Sequence, residues 1–162
     1  MTESVGFIGV GKMGYPMICQ LIHSGYKVVA WDKDHQARMR AANSGAYLPN
    51  NSQEIGSLCK TIILMLPSSN EVNDVLFGEA GILGGLDEEN IIIDMSTSYP
   101  PSTQKNADKL AQRGIAMLDA PVAGGVVGAM QKKLCIMVGG DQNNYQNCLP
   151  VLQAMGNQIF HL

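Results

Sequence analysis

The sequence predicts an α/β fold in which a doubly wound, mostly parallel sheet forms the middle of three αβα layers. Three observations predict it. Short apolar runs of strand length alternate with stretches of helical period almost from end to end, as repeated βα units do. Several of those runs, residues 62–66 and 91–93 among them, are apolar without alternation, as strands covered on both faces are. Helix start and stop residues mark several of the junctions between the two patterns.

Taken in order, the expected strands are residues 5–8, 27–31, 61–66, 91–95, 115–118 and 134–138, with a last one near Ile159. The first helix shows Met13, Met17 and Leu21 at every fourth position, Pro16 where a first turn accepts it, and Gly25 at its end. Ser68 and Glu71 form a capping box ahead of Val72, Val75 and Leu76. A later helix follows Pro101 and carries Lys105 and Lys109 on a polar face, where they serve solubility. Asp141 caps the final helix, which Pro150 is expected to kink or divide.

Composition limits the function classes. With 162 residues, 46% of them hydrophobic and 15% charged, the chain encloses one core, so residues 1–162 are read as one domain. A net charge of −3 with scattered Lys and Arg offers no basic face, which argues against nucleic acid or anionic lipid as a partner. The longest apolar run, residues 62–66, is far short of the ~20 residues that span a bilayer. Glu3 stands where a secretory leader would be basic, so the expected location is cytoplasmic. Cys19, Cys59, Cys135 and Cys148 lack zinc-type spacing to each other or to His23, His35 and His161. These thiols are read as small core residues, and no metal site is expected.

The stretch "VGFIGVGKMGYPM" spaces Gly9, Gly11 and Gly14 as GxGxxG after an apolar strand and before a legible helix. In that setting each glycine has its own task. Gly9 allows the sharp turn, Gly11 lets backbone approach a pyrophosphate, and Gly14 lets helix and strand pack closely. This is the signature of a Rossmann-type dinucleotide-binding domain. Free N–H groups at the helix start, those of Lys12 and Met13 included, make an anion site with the helix dipole and without any basic side chain.

Asp32 ends the second strand 18 residues past Gly14, near the roughly 20 expected of the acid that binds the adenosine ribose. The other reading makes it a solvated turn residue or a cap for the helix beginning at Asp34. A carboxylate here favours NAD over NADP, whose 2′-phosphate it would repel; Lys33 beside it keeps NADP as the alternative.

Downstream, "ILMLPSSNEV", "IIIDMST" and "DAPVAGGVVGA" occur in that order. Together with the opening motif they make the chain resemble, over essentially its whole length, the β-hydroxyacid dehydrogenase family, which includes 3-hydroxyisobutyrate dehydrogenase, tartronate semialdehyde reductase and the 6-phosphogluconate dehydrogenases. The resemblance implies hydride transfer between a nicotinamide cofactor and a small carboxylate substrate. It places Leu66, Pro67 and Val72 along the cofactor, and Ser96 and Thr97 near its nicotinamide end, with Ser96 toward the substrate. Independently of the family, ligands of open α/β sheets sit at that carboxyl edge. Ser96, Thr97 and Ser98 also suit a helix cap.

Residues 119–125 look like the family's substrate loop, in which a serine and neighbouring glycine N–H groups hold the carboxylate. Ala123 stands at the serine position, leaving Gly124 and Gly125 as donors and one hydrogen bond fewer, about 0.5–1.5 kcal/mol. Lys132 and Lys133 replace the glycine and small residue usual before "LCIMVGG". A solvated turn is the first reading of that pair, and recognition of an anionic substrate the second.

Hydride transfer also needs a proton donor or acceptor at the substrate oxygen. No residue of this chain fits; His161 reads as a strand residue. The resemblance places a lysine for this task beyond Leu162, followed by an all-helical domain. The chain therefore reads as the cofactor-binding domain of a longer, homo-oligomeric enzyme, inactive alone. A non-catalytic dinucleotide-binding or interaction module, and an imine-reducing relative, are the alternatives.

Overall fold

The computed structural model describes residues 3–162. Its elements follow in chain order as β1 (Ser4–Ile8), α1 (Gly14–His23), β2 (Lys27–Trp31), α2 (His35–Asn43), α3 (Glu54–Leu58), β3 (Thr61–Leu64) and α4 (Ser69–Phe77). After a 3-10 turn at Leu83–Gly85 come β4 (Ile91–Asp94), α5 (Pro100–Ala111), β5 (Ala116–Asp119), β6 (Val122–Ala123), α6 (Gly125–Met130), β7 (Leu134–Val138), α7 (Gln142–Gln153) and β8 (Gly156–His161).

Five parallel strands lie in the order β2-β1-β3-β4-β5, so the chain reverses direction across the sheet between β1 and β3. At such a reversal the following segments leave toward opposite faces, which opens a crevice at the strands' carboxyl ends. The apolar runs serve both faces because successive side chains point to opposite sides. Val5, Phe7, Ala30, Ile63, Ile91 and Ile93 join one core with α1, α2, α6 and α7. Ile8, Val29, Ile62, Leu64 and Ile92 join the other with α3, α4 and the end of α5. The three expected layers result.

The expected strands extend too far at two places. β3 stops at Leu64 because the Leu66 N–H leaves the ladder for the Ser96 Oγ at 2.8 Å, and β4 stops at Asp94, whose side chain accepts from the Ser96 N–H at 3.0 Å. Beyond β5 the pairing reverses. Asp119 and Gly139 exchange both backbone bonds, at 3.0 and 2.7 Å, and the Met137 N–H reaches the Pro121 carbonyl at 3.1 Å. β7 therefore runs antiparallel along the β5–β6 path and pairs in parallel with β8, forming a second sheet of order β6-β7-β8. Leu162 continues that pairing one residue past β8, its N–H donating to the Val138 carbonyl at 2.9 Å while its side chain stays exposed.

Helix ends follow the sequence signals closely. Gly25, at φ 95°, closes α1 through bonds from its own N–H to Ile22 and from Tyr26 to Leu21. Ser68 and Asp141 cap α4 and α7 by accepting from Asn70 and Asn144. Pro150 does not divide α7, which runs on to Gln153. Cys59 and Cys148 are core residues whose thiols burial pushes up to about 12 and about 11, leaving them unreactive. Cys19 and Cys135 are only half-buried. No helix among the described residues is long and apolar enough to cross a membrane.

Lys132 occupies a helix-closing position that glycine usually fills. Its φ is 59°, the only positive value outside glycine among the described residues, and the Lys133 N–H closes α6 onto the Gly128 carbonyl at 2.8 Å. A side chain in this left-handed geometry is strained by about 1 kcal/mol. Lys132→Gly is expected to raise stability by roughly 0.5–1 kcal/mol, seen as a rise of about 2 °C in the thermal midpoint; an unchanged or lower midpoint would contradict the strain.

Candidate functional site

A cleft of about 850 Å³ opens at the carboxyl ends of β1, β2 and β3. That is ample for a small-molecule site. Its floor is the turn from Gly9 to Gly14, one wall is Trp31, Asp32 and Lys33, and the other runs from Met65 through Leu66 and Pro67 to Glu71, Asp74 and Val75 of α4.

The three glycines of the turn divide their work. Gly9 sits at φ 107°, and a Cβ there would lie 2.1 Å from the Met65 carbonyl oxygen. At Gly14 a Cβ would lie 1.8 Å from the Gly9 carbonyl oxygen, so helix and turn can meet only without a side chain. At Gly11 nothing lies within 4 Å of that position, and the residue is exposed. Two glycines thus permit the fold, and the third leaves a space at the mouth of α1. The first bond of the helical turn runs from the Tyr15 N–H to the Gly11 carbonyl at 3.0 Å, and the earliest N–H groups of a helix have no acceptor within it. Open space, free donors and the positive dipole end fit a diphosphate.

Asp32 stands half-buried at the edge of the cleft. Its Oδ2 accepts from the Val10 N–H and its Oδ1 from the Asp34 N–H, each at 2.8 Å, which ties the end of β2 to the glycine turn. Capping of α2 falls to Asp34 instead, through the Gln36 N–H at 3.1 Å. Arg38 lies 4.8 Å over the Trp31 ring and donates to the Asp32 carbonyl at 2.7 Å, bracing the same corner.

Other expected residues lie elsewhere. Val72 points with Leu76 into the core, because α4 turns Glu71 and Val75 to the cleft; its expected cofactor contact is corrected. Ser96 is fully buried, with its hydroxyl accepting from the Leu66 N–H, so it holds the Leu66–Pro67 wall instead of meeting a substrate. None of Ser96, Thr97 and Ser98 caps α5, whose first turn follows Tyr99; Ser98 donates to the Asp94 Oδ2 at 3.0 Å. Thr97 is exposed but does not line the cleft. Ala123, Gly124 and Gly125 are exposed at the β6–α6 corner, with Gly124 and Gly125 at φ 127° and 63°, and they also lie outside its lining. Leu162, past which the catalytic lysine is expected, lies outside the lining too; the lysines that do line the cleft are Lys12 and Lys33, beside the glycine turn and Asp32.

Two carboxyls face each other in register at the ends of β4 and β5. Burial raises Asp94 despite its bonds from Ser96 and Ser98; burial, and then the charge of Asp94, push Asp119 up to about 6. An unfolded aspartate ionises near 3.9, so between about pH 4 and pH 6 the folded state holds a proton that the unfolded state has released, and stability falls as pH rises through that window. Asp119→Asn is expected to remove Asp119's share of this slope and to gain on the order of 1 kcal/mol at neutral pH, allowing for half burial, with no gain near pH 4. Urea unfolding across the window checks it; an equal gain at both ends would contradict the titration.

Several lining residues carry no binding signal in the sequence. Trp31, Ser52, Asp74, Val75 and Glu79 line the cleft outside every motif, and Glu71, within the ILMLPSSNEV stretch, reads there only as a capping residue. The result is an acidic surround. Asp32, Glu71, Asp74 and Glu79 face Lys12 and Lys33, and Glu71 is held below the usual carboxylate range by the Ser68 hydroxyl, with smaller help from the Lys33 charge.

The geometry agrees with comparisons to known proteins. Residues 4–162 match the model of a family described as the NAD binding domain of 6-phosphogluconate dehydrogenase. A 3-hydroxyisobutyrate dehydrogenase of Pseudomonas aeruginosa is 34% identical over 161 residues, covering 99% of this chain and 54% of that protein. A 2-(hydroxymethyl)glutarate dehydrogenase of Eubacterium barkeri is 36% identical over 158 residues, covering 98% and 52%. Among solved structures, a Mycobacterium tuberculosis 3-hydroxyisobutyrate dehydrogenase with L-serine superposes with a TM-score of 0.93 at 31% identity, over 99% of this chain and 54% of that one. The chain spans about half the length of the curated relatives it matches. With the family model covering nearly every residue and the glycine turn shaped for a diphosphate, the chain belongs to the family of NAD-binding domains found in 6-phosphogluconate dehydrogenase and its relatives.

Proposed function

We propose that this chain is the dinucleotide-binding part of a β-hydroxyacid dehydrogenase that oxidises or forms a small hydroxyacid, and that it takes NAD in preference to NADP. The observation that carries the reading is the open space over Gly11 at the start of α1. The bound nicotinamide would supply or accept the hydride. Around it, the N–H groups of Gly11, Lys12 and Met13 hold the diphosphate, Asp32 takes the adenosine ribose, and Leu66 and Pro67 lie along the cofactor. Thr97 serves the nicotinamide end. Gly124 and Gly125 offer N–H groups to the substrate carboxylate, with Ala123 lining that loop.

Asp32 at the cleft edge supports NAD, since a 2′-phosphate on the ribose it would hold meets its carboxylate, and Glu71, Asp74 and Glu79 add to the negative charge of the same cleft. Exposed Val126, Val127 and Met130 on α6 support a further, helical domain that covers this edge and brings the catalytic lysine from beyond Leu162. On this reading the chain alone binds dinucleotide without turnover, and the whole enzyme is a cytoplasmic homo-oligomer.

Calorimetric titration of the purified chain with NADH and with NADPH tests the proposal. Saturable binding of NADH, tighter than that of NADPH, is expected. Absence of saturable binding for both up to millimolar levels would overturn it, and a preference for NADPH would overturn the part assigned to the carboxylates.

A further inference from the structure

The peptide that leads into Gly11 is gripped from outside the turn. The Val10 N–H donates to Asp32 at 2.8 Å, and the Val10 carbonyl accepts from the Arg40 Nη2, on α2, at 3.1 Å. Val10 itself is fully buried, so this residue is anchored on its side chain, its N–H and its carbonyl. None of the described peptides is cis. In a trans peptide the C=O and the next N–H point to opposite sides of one plane. Holding the Val10 oxygen toward Arg40 therefore turns the Gly11 N–H away from α2.

Gly11 itself does not enforce that choice: without a Cβ it admits either sign of φ, so a flipped plane is open to it. A flipped plane would present the Val10 carbonyl oxygen, a partial negative charge, where an anion is to be held. A hydrogen bond from a guanidinium is of the stronger, charge-assisted kind and suffices to hold a single peptide.

We propose that Arg40 is a positioning residue for the cofactor, locking the Val10–Gly11 peptide with its N–H toward the cleft before any dinucleotide arrives. This rests on the reading of the cleft as a dinucleotide site. Arg40 acts through Val10 and needs no contact with the ligand. Asp32 does the corresponding work on the preceding peptide, so the two side chains fix successive planes of the turn.

The test compares the purified chain with Arg40→Ala and Arg40→Lys in two measurements. NADH affinity is read by calorimetry at low salt and at about 0.5 M salt, where an exposed charge acting at a distance is screened. The Gly11 amide signal of the ligand-free protein is read by nitrogen-15 NMR. Arg40→Ala is expected to weaken NADH binding about tenfold at both salt levels, with the melting midpoint within ~2 °C of the parent, and to broaden or shift the Gly11 signal. Arg40→Lys, which keeps a donor, is expected to stay within about threefold of the parent.

Binding by Arg40→Ala within twofold of the parent would overturn the proposal, as would a loss that disappears at high salt and so reports charge alone. If the parent chain itself does not bind NADH, the dinucleotide reading fails. The Gly11 signal then decides the role of Arg40, since an unchanged signal removes the lock and a broadened one retains it.

Discussion

Gly14→Ala is expected to cripple the fold. A Cβ at this position would stand 1.8 Å from the Gly9 carbonyl oxygen, 3.0 Å from its carbon and 3.1 Å from a ring atom of Phe7. The first two are main-chain atoms of the turn, and the turn cannot retreat because Gly9 is itself pressed against the Met65 carbonyl and bonded to Trp31. Relief requires α1 to move off the sheet. That would open the packing of Met17, Ile18 and Leu21, all fully buried. The loss is about 3 kcal/mol or more, at the upper end of overpacking effects and a large part of a domain's ~5–15 kcal/mol. Thermal unfolding followed by circular dichroism should show the midpoint lowered by roughly 6–12 °C, or no cooperative transition at all. A midpoint within ~2 °C of the parent would mean that the helix does not sit on the turn as described.

Gly11→Val is expected to do the reverse, leaving the fold intact and removing the ligand. The backbone at Gly11 is not in the left-handed region, and a Cβ there has no atom within 4 Å beyond its chain neighbours. Stability should stay within about 0.5 kcal/mol, as for other exposed substitutions. The isopropyl group, however, would fill the space through which a diphosphate must come to within ~2.9 Å of the helix N–H groups. Losing one such charged hydrogen bond weakens binding about tenfold, and losing two makes the effect larger. NADH titration should show a dissociation constant raised roughly 10- to 100-fold beside an unchanged melting curve. Undiminished affinity would place the diphosphate elsewhere. The pair of variants separates the two tasks that one motif combines, because each glycine fails by a different route.

Much of this architecture was legible beforehand. Runs such as Ile91–Asp94 are apolar at every position but the last because both sheet faces are covered, and a local pattern suffices to show that. Gly25, Ser68 and Asp141 announced helix ends because caps act within four residues. The glycine spacing with Asp32 located the cleft, since a turn and the strand beside it are set by short stretches of chain.

What remained hidden depended on partners far along the chain. The reversal at β7 is decided by Asp119 pairing with Gly139, and strand direction leaves no mark on composition. α3 has only five residues and forms where Gly56 packs against the Gly85 backbone, a contact with no local signal. Ser96 belonged to a recognisable motif, yet whether its hydroxyl faced ligand or protein turned on Leu66, thirty residues away. For Val72 and Glu71 the question was the rotation of α4 about its axis, which packing against the sheet settles. Arg40 carried no motif at all.

By itself, then, the sequence determined the layered α/β fold, the strands of the parallel sheet with most of their helices, and a glycine turn after the first strand, because each follows from spacing along a few consecutive residues. Only the tertiary structure decided which side of α4 lines the cleft, where the Ser96 hydroxyl points, and which distant side chains bond to the turn. Those depend on distances between residues that the chain brings together only after it has folded.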